Sequence, residues 1–262
     1  MEVKTVHISY ATNVGKVRQA NEDNFYVDSA GIRISENEAG SRNIELNETR
    51  VFAVCDGMGG EAYGEEASRI VASTLLEMIS EVKASETAEL DKVMEKFVQA
   101  ANDRICEMRL EKRCGISGST LAMLCMCEKN VFTYNLGDSK VFRFSEGKLT
   151  QISEDQTVAA RKVKANIYTE EEARKSSDFF KLTAFVGMDD RGVGIRPLSY
   201  APIPLTTQKF LLCSDGLTDM CENEEIAEVL EGTELNKAEV LVERAMQHGG
   251  EDNITCIVVE LQ

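Results

Sequence analysis

The chain has 262 residues, 43% of them hydrophobic and 28% charged, which is ordinary globular usage and enough length for a sizeable core. A formal charge of -16 excludes the clustered Lys and Arg that grip a nucleic-acid backbone or an anionic membrane surface. Phosphorylated substrates stay open to such an acidic chain only if bound cations reverse the local field.

The opening MEVKTVHISY lacks a basic stretch followed by an apolar core, so it does not read as a signal peptide. Strand-like runs occupy 5–10, 24–28 and 50–55. Two long helical patterns follow. Within 64–82, Ile70, Leu75, Met78, Ile79 and Val82 recur at three- and four-residue spacings; within 87–111, Leu90, Val93, Met94, Phe97, Ile105 and Met108 do the same. Such one-faced stripes predict helices that cover a sheet. Strands resume at 119–127, 130–136 and 139–144.

Residues 153–181 break the pattern, being polar, charged and weakly periodic. They read either as a surface excursion or as a flap near a site. Strands at 195–200 and 209–214 lead to two helices capped by Asn223 and Asn236, the second with Glu239 three residues on, and then to a strand at 254–261. This order does not alternate as strand–helix–strand units. It predicts an α+β fold, antiparallel sheets with helices layered on them, in a single domain over 1–262. No run approaches the ~18 apolar residues of a membrane span, and a soluble cytoplasmic protein is expected.

Of eight cysteines, Cys55, Cys125, Cys127, Cys213 and Cys256 lie in apolar runs, where a reduced thiol acts as a small hydrophobe. Cys125 and Cys127, two apart, share one strand face and form no metal knuckle.

The carboxylates carry more information. Asn21-Glu22-Asp23 follows GKVRQA, Asp56–Gly57 ends VFAVC, Asp138 follows YNLG, Asp215–Gly216 ends FLLCS, and Asp252 precedes ITCIVVEL. One aspartate at a strand end is ordinarily a turn former. Five in one chain, several beside glycine, point instead to hard-cation binding. Mg²⁺ and Mn²⁺ take oxygen ligands from distant segments, and glycine lets a backbone carbonyl approach. Two such ions can share a water, lower its pKa and clamp a phosphoryl group.

Other chemistries fail on the same residues. An aspartyl nucleophile wants Asp-x-Asp, but Val54 and Cys213 stand at the earlier positions; no thiol-phosphatase loop and no P-loop occur. Zinc catalysis is disfavoured with only His7, in a strand pattern, and His248, near a helix end. The acidic residues are too dispersed for an EF-hand.

The segments GKVRQANED, VFAVCDGMGG, GSTLAMLCMCEKNVFTYNLGDSKVFRF, FLLCSDGLTD and GGEDNIT closely resemble, in order and spacing over about residues 5–261, the signature blocks of metal-dependent protein phosphatases of the 2C type. The resemblance implies a four-layer α-β-β-α sandwich of two largely antiparallel sheets flanked by helices, and hydrolysis of phosphoserine and phosphothreonine by a metal-bridging water. It implies two Mn²⁺ or Mg²⁺ ions and a weaker third. Asp56 would bridge the pair, the Gly57 carbonyl would bind one of them, and Asp215 and Asp252 would complete the better-liganded ion. Glu22 and Asp23 would act through metal-bound waters, Asp138 would hold the third ion with Asp215, and Arg18 would grip the substrate phosphate. Asn253 would support the Asp252 loop, and residues 153–181 fall where bacterial-type members carry their flap.

Two positions depart from the pattern. Met58 stands where some relatives carry a histidine held to be the general acid, although Asp-Gly-Met-Gly-Gly is common in bacterial-type members. Ala184 stands where Arg usually follows Leu-Thr. The implied partners are phosphorylated proteins, substrates of a Ser/Thr kinase, met by a monomer with no nucleic acid or membrane. The competing reading is a phosphoprotein-binding pseudophosphatase or regulator.

Overall fold

The computed structural model describes residues 5–28, 30–59, 63–127, 129–189, 192 and 194–261. Gly60, the last glycine of the Asp56 block, lies outside them. In chain order the elements are β1 (Thr5–Asn13), β2 (Asn24–Val27), β3 (Gly31–Ile32), β4 (Glu38–Glu45), β5 (Arg50–Cys55), β6 (Gly57–Gly59), α1 (Tyr63–Ala84), α2 (Leu90–Lys112), β7 (Ser117–Ser119), β8 (Leu121–Cys127), β9 (Asn130–Leu136), β10 (Lys140–Ser145), β11 (Lys148–Gln151), α3 (Val158–Lys164), α4 (Glu170–Arg174), β12 (Leu198–Ser199), β13 (Ile203–Pro204), β14 (Lys209–Cys213), α5 (Asp215–Thr218), α6 (Asn223–Glu231), α7 (Lys237–Gln247) and β15 (Ile254–Leu261). One sheet runs β11-β10-β14-β15-β1-β4; the other runs β12-β9-β8-β5-β2-β3, with β13 also on β9.

Side-chain alternation explains how these become layers. Along β5, Val51, Ala53 and Cys55 face α1 and α2, joining Val71, Leu75, Met94 and Phe97, while Phe52 and Val54 enter the space between the sheets. Along β14, Phe210 and Leu212 enter that same space, while Leu211 and Cys213 meet Ile226 of α6 and Leu241 of α7. Both faces of each strand are therefore buried, which is why they appear in sequence as unbroken apolar runs. The result is the expected four-layer α-β-β-α sandwich, and every free cysteine assigned to a strand is buried.

Several local expectations shift. The 119–127 strand divides at Thr120, whose N–H and hydroxyl both turn to Asp56. The 195–200 strand shrinks to Leu198–Ser199, since Pro197 offers no N–H to a ladder. The cap of α6 is Glu222, not Asn223: Glu225 stands three residues on and accepts the Glu222 N–H at 3.0 Å, whereas three residues after Asn223 comes apolar Ile226. Asn236 does cap α7, accepting the Glu239 N–H at 3.2 Å. Residues 153–181 are an excursion with structure of its own, α3 and α4. Its two ends are laced together where Val158 donates to Lys181 and Thr183 to Gln156.

Candidate active site

Five chain segments meet at one end of the sandwich: the β1–β2 loop with Arg18, Glu22 and Asp23, the β5–β6 junction with Asp56 and Gly57, the β9–β10 turn with Asp138, the β14–α5 junction with Asp215, and the loop before β15 with Asp252. Backbone bonds hold them in register. Thr120 accepts the Asp56 N–H at 2.9 Å and donates its own to the Asp56 carbonyl at 2.8 Å. Its hydroxyl also bonds Ser139 at 2.6 Å, tying in the turn that carries Asp138. Asn253 is a second anchor. Its amide nitrogen donates to the Val14 and Ala20 carbonyls, and its oxygen accepts the Glu22 N–H at 2.8 Å.

The two Asp-Gly pairs have a steric cause. A β-carbon on Gly57 would sit 2.1 Å from the Gly64 carbonyl oxygen and 2.5 Å from that of Glu22. One on Gly216 would sit 2.1 Å from the Asn253 carbonyl oxygen. Only glycine lets these backbones approach so closely, and the approach brings the neighbouring carboxylates together.

The carboxylates share one electrostatic field. Burial raises Asp56 well above the ordinary carboxylate range, and Asp23, Asp215, Asp138 and Asp252 raise it further. Asp23 is pushed up to about 7 by burial, against hydrogen bonds from Ser214 and Thr255 that pull it down; the Ser214 bond is 2.7 Å. Asp138 is likewise pushed up to about 7 by burial and by Asp215. Burial also raises Asp215 and Glu22. Arg18, at the open rim with its side chain 51% exposed, donates to Asp252 at 2.7 Å. All eight residues expected at the site are thus assembled there.

Three further residues stand with them. Lys140 is buried, donates to the Asp138 carbonyl at 3.1 Å and faces Asp155 at 3.5 Å, at the root of the 153–181 excursion. It is the buried cation that offsets part of the ring's charge. Asp219, the residue just past α5, is solvent-exposed at the edge of the ring, where desolvation and the charge of Asp215 push it up to about 7. Thr120 is the third. A serine or threonine inside an apolar strand, directly across from a strand-end aspartate, is the signal that could have exposed it.

A crowd of half-desolvated, mutually repelling carboxylates is a ligand set for hard divalent cations, which relieve the repulsion that protons otherwise relieve. The donor set and the glycine-tight backbone fit such ions. Beside the ring, a cleft of about 430 Å³ runs between α3, α4 and the start of α6, floored by Phe142 and edged by Phe180 and Asp219.

A four-layer sandwich with an acidic ring at the ends of its central strands defines a phosphatase of the metal-dependent class. Residues 42–252 match the family described as Protein phosphatase 2C, and the chain belongs to that family. It is 30% identical to the serine/threonine phosphatase stp of Listeria monocytogenes, over 97% of this chain and 96% of that one. Its structure resembles the serine/threonine phosphatase of S. agalactiae with a TM-score of 0.81 at 26% identity, covering 98% and 100% of the two chains. It also resembles the catalytic domain of PstP solved with two manganese ions, with a TM-score of 0.78 at 28% identity, covering 98% and 99%. The chain is a serine/threonine protein phosphatase acting on phosphoproteins, in a family whose chemistry depends on metal ions. No helix among the described residues is long and apolar enough to cross a membrane.

Proposed function

We propose that the acidic ring is the catalytic metal centre, taking two Mn²⁺ or Mg²⁺ ions and a weaker third. Asp56 and the Gly57 carbonyl, with Asp215 and Asp252, would hold the principal pair. Glu22 and Asp23 would hold its waters, and Asp138 would share the third ion with Asp215. When bound, such ions supply Lewis-acid charge and a nucleophile available at neutral pH. The observation that carries this reading is one shared field: burial raises Asp56, Asp23, Asp138 and Asp215, and the neighbouring carboxylates, Asp252 among them, raise them further.

The chain's own residues do the rest. Arg18 has the planar fork that suits two phosphoryl oxygens, and its place at the exposed rim lets an incoming phosphate meet it first. Water attacks phosphorus, the ester P–O bond breaks, and the serine or threonine oxygen leaves needing a proton. Met58 has none to give, so in this reading solvent at the open rim beside Arg18 supplies it. Thr120 and Asn253 keep Asp56 and Asp252 from drifting as the charge on the phosphoryl group changes. The substrates would be proteins phosphorylated by a Ser/Thr kinase, met by a cytoplasmic monomer. Hydrolysis of p-nitrophenyl phosphate tests the metal assignment: turnover should appear with Mn²⁺ and vanish with EDTA, and turnover untouched by EDTA would contradict it.

A further inference from the structure

Beyond the acidic ring, three donors of different chemistry converge. Cys221 Sγ, a Glu225 carboxylate oxygen and a His248 ring nitrogen all lie within 4.8 Å of one another. No Cys or His spacing announces them, because α6 brings Glu225 next to Cys221 and the end of α7 lays His248 beside both. Each flanking donor is oriented by a second contact. His248 Nδ1 lies 2.8 Å from the Met220 carbonyl oxygen, a bond that only a protonated Nδ1 can donate. The other nitrogen, Nε2, faces a Glu225 oxygen at 3.5 Å, while the second Glu225 oxygen accepts the Glu222 N–H at 3.0 Å. A ring lone pair pointed at a carboxylate is unfavourable unless a proton or a cation lies between them. A proton accounts for the His–Glu pair alone and gives Cys221 no part. A cation uses all three, and N and O ligands of one tetrahedral zinc, each ~2.0–2.2 Å from it, stand roughly 3.4 Å apart.

We propose that Cys221, Glu225 and His248 form a second metal site, for an ion of the zinc class with water as fourth ligand. A thiolate and an imidazole select such borderline metals, whereas the acidic ring suits Mg²⁺ and Mn²⁺. Ligation exchanges the Cys221 S–H bond for a sulfur–metal bond and releases the proton to solvent. Cys221 is 3% exposed, and His248 and Glu225, at 39% and 34% side-chain exposure, leave an open side for the ion and its water. The location gives the site reach. Cys221 lies just past α5, which Asp215 opens, and His248 precedes Asp252 in one loop, so an ion here would tie together two segments that feed the acidic ring.

Cobalt is the probe, because sulfur-to-cobalt charge transfer absorbs in the near ultraviolet only when a thiolate is a ligand. Titrating Co²⁺ into the full chain held in saturating Mg²⁺ should give that band at one equivalent, and Zn²⁺ should bleach it. Cys221→Ser should abolish the band, His248→Gln should weaken cobalt affinity by about tenfold or more, and Cys114→Ser, a half-buried thiol packed in another layer, should leave it intact. If Cys221→Ser does not fold, His248→Gln alone decides, since its side chain lies at the surface. No band in the parent chain, or one unchanged by His248→Gln, overturns the proposal.

Discussion

Gly57 shows how one residue's missing side chain sets the geometry of the site. Its N–H is held by the Glu22 carbonyl at 3.1 Å, and the space for a β-carbon is filled by two carbonyl oxygens. Gly57→Ala must therefore push β6 away from α1 and the Glu22 loop. Overpacking of this kind costs about 1–3 kcal/mol, and the same shift separates Asp56 from Glu22. The expected outcome is a lower urea midpoint together with weaker Mn²⁺ binding by calorimetry; unchanged binding would mean that the Gly57 backbone has no part in the metal centre. At this scale the sequence was legible where a carboxylate interrupts an apolar run, as at Asp56 and Asp215. It was silent at Lys140 and Asp219. A lysine opening a strand looks like a surface residue until the fold buries it against the ring, and an exposed aspartate just past a short helix gives no sign that Asp215 lies close by.

Among the elements, the long helices and central strands were readable because each buries one continuous stripe or run. The remaining elements have no such signature. β4 alternates half-buried and exposed positions along an edge and carries polar residues on both faces. α3 and α4 are short, seven and five residues, far below the ~12–15 that hold a helix in water unaided. Thr157 and the Thr169–Glu172 capping box start them, and ion pairs such as Lys164–Glu154 lie on the surface, where they contribute little. The excursion should thus open locally while its laced ends stay shut. In native-state hydrogen exchange, amides of 160–175 should exchange well before those of β14 and β15, and the Val158 and Thr183 amides, bonded to Lys181 and Gln156, should remain with the slow class. Equal protection across 160–175 and β15 would contradict this and make the excursion a fixed wall of the cleft.

For the whole molecule, the fold gathers acidic groups that only protons or cations can make comfortable, and stability should report it. Asp23 and Asp138 titrate near 7 in the folded chain against an ordinary value of 3.8. Between those values the folded state holds more protons than the unfolded chain, so this contribution is fully present below about pH 4 and is lost as pH rises toward 7. Melting temperature in EDTA should accordingly fall across the upper part of that window, and saturating Mn²⁺ should remove the fall. Each ion present at a hundred times its Kd adds about 2.7 kcal/mol. A melting temperature that rises with pH in EDTA would contradict the assignment of these groups.

If the acidic ring performs the hydrolysis, removing the Asp56 carboxylate should abolish it. The direct measurement is phosphate release from a phosphothreonyl peptide in saturating Mn²⁺ by the parent chain and by Asp56→Ala, with circular dichroism showing both folded. Turnover should fall by on the order of 10²–10³-fold or more, the scale of losing a preorganised electrostatic contact to the transition state. Equal turnover in the two proteins would place the chemistry elsewhere.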